Sequence, residues 1–216
     1  MSLKFYIVPV TIYAQNCSIL VCEKTNKAAL IDPGGDAEKI IAKLDQLGVT
    51  LEKIFITHGH PDHCGIAGEL RQHFNVAIEG PHKEDDFWIQ QLPNVCQAMG
   101  FPVSQAFVPD RWLGEGDVIE FGEQRLEVLF CPGHTPGHVV FYHREEKLAL
   151  VGDVLFKGSI GRTDFPRGNH NQLITSIKQQ LWPLGDDVRF IPGHNEMSTF
   201  GEERRTNPFV SDSRYG

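Results

Sequence analysis

From Ile56 to His63 the chain reads Ile-Thr-His-Gly-His-Pro-Asp-His, which places three histidines and one aspartate directly after an apolar run. Imidazole and carboxylate are donors that Zn²⁺, Fe²⁺ or Mn²⁺ accept, and no thiolate is present to close the set as a structural zinc site. Gly59 and Pro61 shape the turn without competing as ligands. His58 and His60 are expected to point one way, with Asp62 and His63 reaching a second point close by.

Three further stretches repeat the sequence of strand, glycine and donor. They are Cys131-Pro132-Gly133-His134-Thr135-Pro136-Gly137-His138, then Val151-Gly152-Asp153, then Ile191-Pro192-Gly193-His194. A lone strand-end histidine is more often a surface residue than a ligand, and a lone Gly-Asp is usually a turn. With the intact H-x-H-x-D-H string, however, His58, His60, Asp62, His63, His134, Asp153 and His194 all fall at strand ends. One rim of a layered fold would collect them as a metal site. His138 is expected to support the site from behind or to be structural. His73, His82, His143 and His170 lack a partner pattern and are expected to face solvent. Cys64 and Cys131 adjoin donors without occupying donor positions and read as small packing residues.

The elements that must position these groups are legible in part. Residues 3–10, 17–22 and 27–32 read as strands. Asp32-Pro33-Gly34-Gly35 is a sharp turn, after which Asp36 is expected to cap a helix striped by Ile40, Ile41, Leu44 and Leu47 and ended by Gly48. A buried strand over Lys53–Thr57 runs into the histidine cluster. A helix over Gly65–Phe74 and a short strand over Val76–Glu79 follow. Residues 82–108 read as a helix plus an irregular segment, either lying over a site or serving as a packing insertion. Two hairpins are expected over Asp117–Phe130 and His138–Val151, the second turning at Arg144–Lys147. A helix at 170–182, a strand at 188–191 and a helix near 200–205 complete the chain. Two β-rich runs, each ending in a helix, imply two similar halves: an α/β (α+β) sandwich of four layers, αββα, formed by one domain over residues 1–216.

The motifs T-H-x-H-x-D-H, P-G-H-T-P-G, L-x-G-D and I-P-G-H, in this order, resemble the metallo-β-lactamase superfamily. Within it the match is to the glyoxalase II (hydroxyacylglutathione hydrolase) group, in its short bacterial form without the extra C-terminal helical domain. Gly152-Asp153-Val154-Leu155-Phe156 and Gly161-Arg162-Thr163-Asp164-Phe165 extend it. The resemblance implies one metal on His58, His60 and His134, and a second on Asp62, His63 and His194, with Asp153 bridging. The two divalent ions would be zinc, with iron or manganese as alternatives. Cations about 3.5–4 Å apart would share an acidified water that attacks a glutathione thioester of the S-D-lactoylglutathione type. Asp62 and Asp153 would then be catalytic as well as ligating. Arg162 would pair with a glutathione carboxylate, and Asp32 is a candidate to hold a ligand imidazole from behind or a plain turn aspartate. The group's tyrosine two residues after the last histidine is replaced here by Glu196.

Persulfide dioxygenases share several of these strings, including Glu203-Arg204-Arg205 before Asn207-Pro208. They imply a rival activity with a single iron on His58, His134 and Asp153. Charge narrows the field further: 20 basic against 28 acidic residues give a net −8, no footprint for nucleic acid or anionic membranes. Five cysteines without a C-x-x-C pair suit a reducing cytoplasm. No signal-peptide core or membrane span is expected. The expected partner is a small-molecule thioester, and the expected state is a monomer or small homo-oligomer.

Overall fold

The computed structural model describes residues 2–215. Its first sheet has the order β1 (Leu3–Val10), β2 (Gln15–Cys22), β3 (Lys27–Ile31), β4 (Thr50–Phe55) and β5 (Ala77–Glu79). The first three strands run antiparallel, and β3, β4 and β5 are mutually parallel. The second sheet uses β6 (Val118–Phe121), β7 (Gln124–Phe130), β8 (Val139–His143), β9 (Leu148–Gly152), β12 (Arg189–Pro192) and β13 (Ser198–Thr199), in the order β13-β12-β9-β8-β7-β6. A small hairpin, β10 (Leu155–Phe156) with β11 (Ser159–Ile160), stands apart from both.

Alternation explains why these strands read as unbroken apolar runs. In β2, Ile19 and Val21 face an outer core while Leu20 and Cys22 face the core between the sheets. In β9, Leu148 and Leu150 enter the core between the sheets, whereas Ala149 and Val151 enter the other outer core. Both faces are thus covered along these stretches, so neither set of positions in Ile19–Cys22 or Leu148–Val151 is polar.

Helices close the outside. On the first half these are α1 (Ala37–Leu47), the short α2 (Pro61–Cys64), α3 (Ala67–Phe74), α4 (Asp86–Gln90) and α5 (Leu92–Met99). Ile40 and Leu44 of α1 and Leu70 of α3 bury into the first outer core. On the second half are α6 (His170–Ser176), α7 (Phe200–Thr206) and α8 (Asp212–Tyr215). The four-layer αββα sandwich expected from the sequence is the architecture found.

Several details depart from expectation. The Gly65–Phe74 helix begins later, at Ala67, with α2 set off before it. The 170–182 helix is regular only to Ser176 and then widens over Ile177–Leu181. Asp36 stands at the N-cap of α1 but its side chain does not cap it: the backbone is left-handed (φ 54°), and Oδ2 accepts from Thr11 N at 3.1 Å. His143 does not face solvent. It is 3% exposed, with Nε2 3.1 Å from Gln124 Oε1 and Nδ1 accepting from Glu146 N, because the hairpin turn folds over it.

Candidate metal centre

All seven predicted donors lie just past strand ends. The segment after β4 carries His58 and His60, and Pro61 at the first turn of α2 starts the helix that presents Asp62 and His63. His134 lies between β7 and β8, Asp153 directly follows β9, and His194 follows β12. Val139 N donates to Thr57 O at 2.8 Å, which joins the histidine loop of the first sheet to the second.

The donor atoms gather into two clusters. His60 Nδ1 lies 3.1 Å from His58 Nε2 and 3.0 Å from His134 Nε2. In the second cluster, Asp62 Oδ2 lies 3.2 Å from His194 Nε2 and 3.8 Å from His63 Nε2. Asp153 spans the two: its Oδ2 is 3.6 Å from both His134 Nε2 and His194 Nε2, and its Oδ1 is 3.3 Å from His63 Nε2. Gly193 makes room for this, since a Cβ there would overlap Asp153 Oδ1 and come 2.6 Å from His63 Cε1.

Hydrogen bonds behind the rings fix which nitrogen faces inward. His63 Nδ1 donates to Asp32 Oδ2 at 2.9 Å, and His134 Nδ1 donates to the Arg162 carbonyl at 2.8 Å. His194 Nδ1 donates to the Tyr13 carbonyl at 3.2 Å. Thr57 Oγ1 gives its proton to Asp32 Oδ2 at 2.5 Å and so accepts from His58 Nδ1 at 3.0 Å. In each case the Nδ1 side is occupied by an outer acceptor and Nε2 is the nitrogen that faces the centre.

That arrangement calls for a cation. His63 Nε2 and Asp153 Oδ1 are buried, face each other at 3.3 Å and have no hydrogen-bond partner. Two acceptors at that separation are held together only by positive charge between them, either a proton on Nε2 or a metal ion. Tetrahedral bonds of about 2.1 Å would put neighbouring donors roughly 3.4 Å apart, which the observed 3.0–3.8 Å spacings bracket. Burial and the surrounding histidines hold His58 well below the ordinary imidazole value. Burial also opposes the charge on His63, yet the Asp153 and Asp62 carboxylates raise it well above. Asp153, despite its burial, is held far below the ordinary carboxylate range by His63, His134 and His194. The donor set therefore has the chemistry of a divalent-metal site.

Comparison with known proteins agrees. Residues 10–194 match the family model described as metallo-beta-lactamase superfamily. The chain belongs to that superfamily. It is 48% identical to a hydroxyacylglutathione hydrolase, GloC, of Haemophilus influenzae, over 95% of this chain and 97% of that one, in keeping with the glyoxalase II group. Two solved structures superpose closely. TTHA1623 in a di-iron-bound form gives a TM-score of 0.87 at 34% identity, covering 95% of this chain and all of that one. BLEG-1, described as a B3 metallo-beta-lactamase, gives 0.88 at 32% identity, covering 96% and 99%. This superfamily member is a hydrolase.

Over the donors of this metallo-hydrolase opens a cavity of about 770 Å³. A second groove, of about 700 Å³ along β6 and β7, includes none of the donors. Asp32 lies beneath the site and holds His63 directly and His58 through Thr57. His138 accepts from Asp153 N at 3.1 Å and stacks on His58 at 4.6 Å. Arg162 lines the cavity, but its guanidinium is engaged by both Asp164 oxygens at 2.6 Å and lies over Phe165.

One residue escaped the sequence reading. Asp85 is fully buried and accepts from Gly59 N (2.8 Å), Thr135 Oγ1 (2.7 Å) and Gly137 N (2.5 Å). It thereby ties the loop of His58 and His60 to the loop of His134. Burial pushes its carboxyl up to about 6, against those three hydrogen bonds. Residues 83–99 also supply Trp88, Val95 and Met99 to the cavity, so this segment does lie over the site. Among the described residues no helix is long and apolar enough to cross a membrane.

Proposed function

We propose that this chain hydrolyses a glutathione thioester at a dinuclear centre. His58, His60 and His134 would hold one divalent cation, Asp62, His63 and His194 a second, with Asp153 shared. Zinc, iron and manganese all suit this imidazole and carboxylate set. When bound, such a pair supplies Lewis acidity to the carbonyl and lowers the pKa of water towards neutrality.

The chain's own groups do the rest. Asp32 and Thr57 keep His63 and His58 in the tautomers that face inward. Asp62, an acceptor at the cavity floor, orients the attacking water as well as ligating. Asp153 compensates positive charge at the centre of the site. Arg162 at the mouth exchanges Asp164 for a carboxylate of the glutathione moiety. A thiolate leaves without a protonated acid, and no serine or cysteine nucleophile is needed: all five cysteines are free and buried. Free thiols also favour a reducing, cytoplasmic setting, and the small substrate asks for nothing beyond a monomer or small homo-oligomer.

The observation that carries this reading is the pair of donor clusters joined by Asp153. It is supported by the resemblance to proteins described as a hydroxyacylglutathione hydrolase and as a di-iron form. A rival, iron-dependent persulfide oxidation on His58, His134 and Asp153, would place one metal and make no use of the Asp62, His63 and His194 cluster for a second. Metal quantification beside a steady-state assay on S-D-lactoylglutathione tests the proposal. Two metals per chain with thioester turnover are expected. One metal per chain with oxygen uptake on glutathione persulfide would overturn it.

A further inference from the structure

The two halves of the molecule line the cavity differently. From the second half come Lys157, Ser159, Arg162 and Asn195, polar or charged, together with Phe156, Ile160 and Phe165. Donors and Pro61 aside, the first half contributes only Tyr13, Trp88, Val95 and Met99. Tyr13 sits at the β1–β2 turn and packs edge-on against Phe101, with ring centroids 5.3 Å apart. The hairpin tip and the segment after α5 therefore form one continuous apolar wall.

This wall is exposed beyond what packing requires. Ile12 is 79% exposed, Tyr13 47% and Met99 37%, among the few large apolar side chains left so open. The turn that presents Ile12 and Tyr13 is nevertheless fixed. Ala14 N donates to Thr11 O, Asn16 Nδ2 donates to the carbonyls of Pro192 and Asn195, and the Tyr13 carbonyl receives the His194 ring proton. A rigid apolar surface that runs into the metal-donor floor is built to cover something apolar attached to the reacting carbon.

A thioester of glutathione has two arms. The peptide arm carries two carboxylates and an ammonium, which suit the Lys157–Glu196 and Arg162–Asp164 pairs of the second half. The acyl arm is left to the other wall. We propose that Tyr13, Val95 and Met99 form an acyl-binding wall, and that extended aliphatic or aromatic acyl groups are preferred over small hydroxyacyl groups. This rests on the glutathione-thioester reading given above. The polar group that this wall offers a lactoyl hydroxyl is the Tyr13 phenol.

The test uses the metal-loaded enzyme on S-lactoyl-, S-acetyl-, S-butanoyl- and S-hexanoylglutathione. Expected is a rise in kcat/KM of roughly two- to fourfold per added methylene, the scale of apolar transfer. The double variant Val95→Ser, Met99→Ser on α5 should flatten that series, lowering kcat/KM on the hexanoyl substrate at least about tenfold more than on the lactoyl one. A flat or falling series in the unaltered enzyme would overturn the proposal, as would a series that survives in the variant. Calorimetry with two unreactive thioethers separates this from failure of the hydrolytic reading. If S-hexylglutathione binds at least tenfold more tightly than S-methylglutathione although no thioester is turned over, the wall stands and the hydrolysis falls. Equal binding by both sinks the wall.

Discussion

The floor of the cavity and its mouth are held by different kinds of interaction. On the floor, His58, His63 and His134 are almost wholly buried, each with its outer nitrogen bound to a fixed acceptor. At the mouth, Arg162–Asp164 and Lys157–Glu196 are pairs of largely exposed side chains, and Tyr13 and Met99 present apolar surface to solvent. Buried donors left without partners cost about 1–3 kcal/mol each, whereas exposed ion pairs contribute about 0.2–1 kcal/mol. The metal-donor floor is thus a property of the whole fold, while the substrate contacts proposed for the mouth rest on side chains that can change with little effect on folding.

That contrast can be pressed at three points. The largest effect is expected for His58→Ala: kcat on a thioester should fall at least about a thousandfold, beyond what loss of one electrostatic contact usually costs. The circular dichroism of the folded protein should remain. Asp85→Ala should strand Gly59 N, Thr135 Oγ1 and Gly137 N, lowering unfolding free energy in urea by about 3 kcal/mol or more. Metal content should drop with it, because the two donor loops lose their tie. If Asp85→Ala retained both stability and metal, the floor would not be held as described. Arg162→Ala is expected to do least, raising KM about two- to fivefold with kcat nearly constant and no change in stability. A large loss of kcat instead would move Arg162 from the mouth to the reacting atoms.

The legibility of the chain follows the same division. The Ile19–Cys22 part of β2 and the strand β9 were readable because alternate residues enter different cores, which leaves no polar position there to blur them. The donors were readable because they cluster at strand ends beside glycine. Asp85 was not, since it sits in Lys83-Glu84-Asp85-Asp86 and nothing local marks which carboxylate turns inward. Its partners are 26 to 52 residues away. Asp36 misled for the same reason: before a helix it looks like a cap, but its acceptor serves Thr11, 25 residues earlier. His143 looked like a hairpin-surface residue, and only the fold reveals Gln124 beside it.

The shared position of Asp153 has one more consequence. The first sheet and its helices bring His58, His60, Asp62 and His63, while His134, Asp153 and His194 arrive with the second. Neither portion alone assembles a complete donor cluster. A cation bound across that seam would act as a rivet, favouring the native state by its mass-action advantage over the unfolded chain. Chelation would then loosen the join between the two sheets, and thermal melting should follow free metal concentration as closely as turnover does.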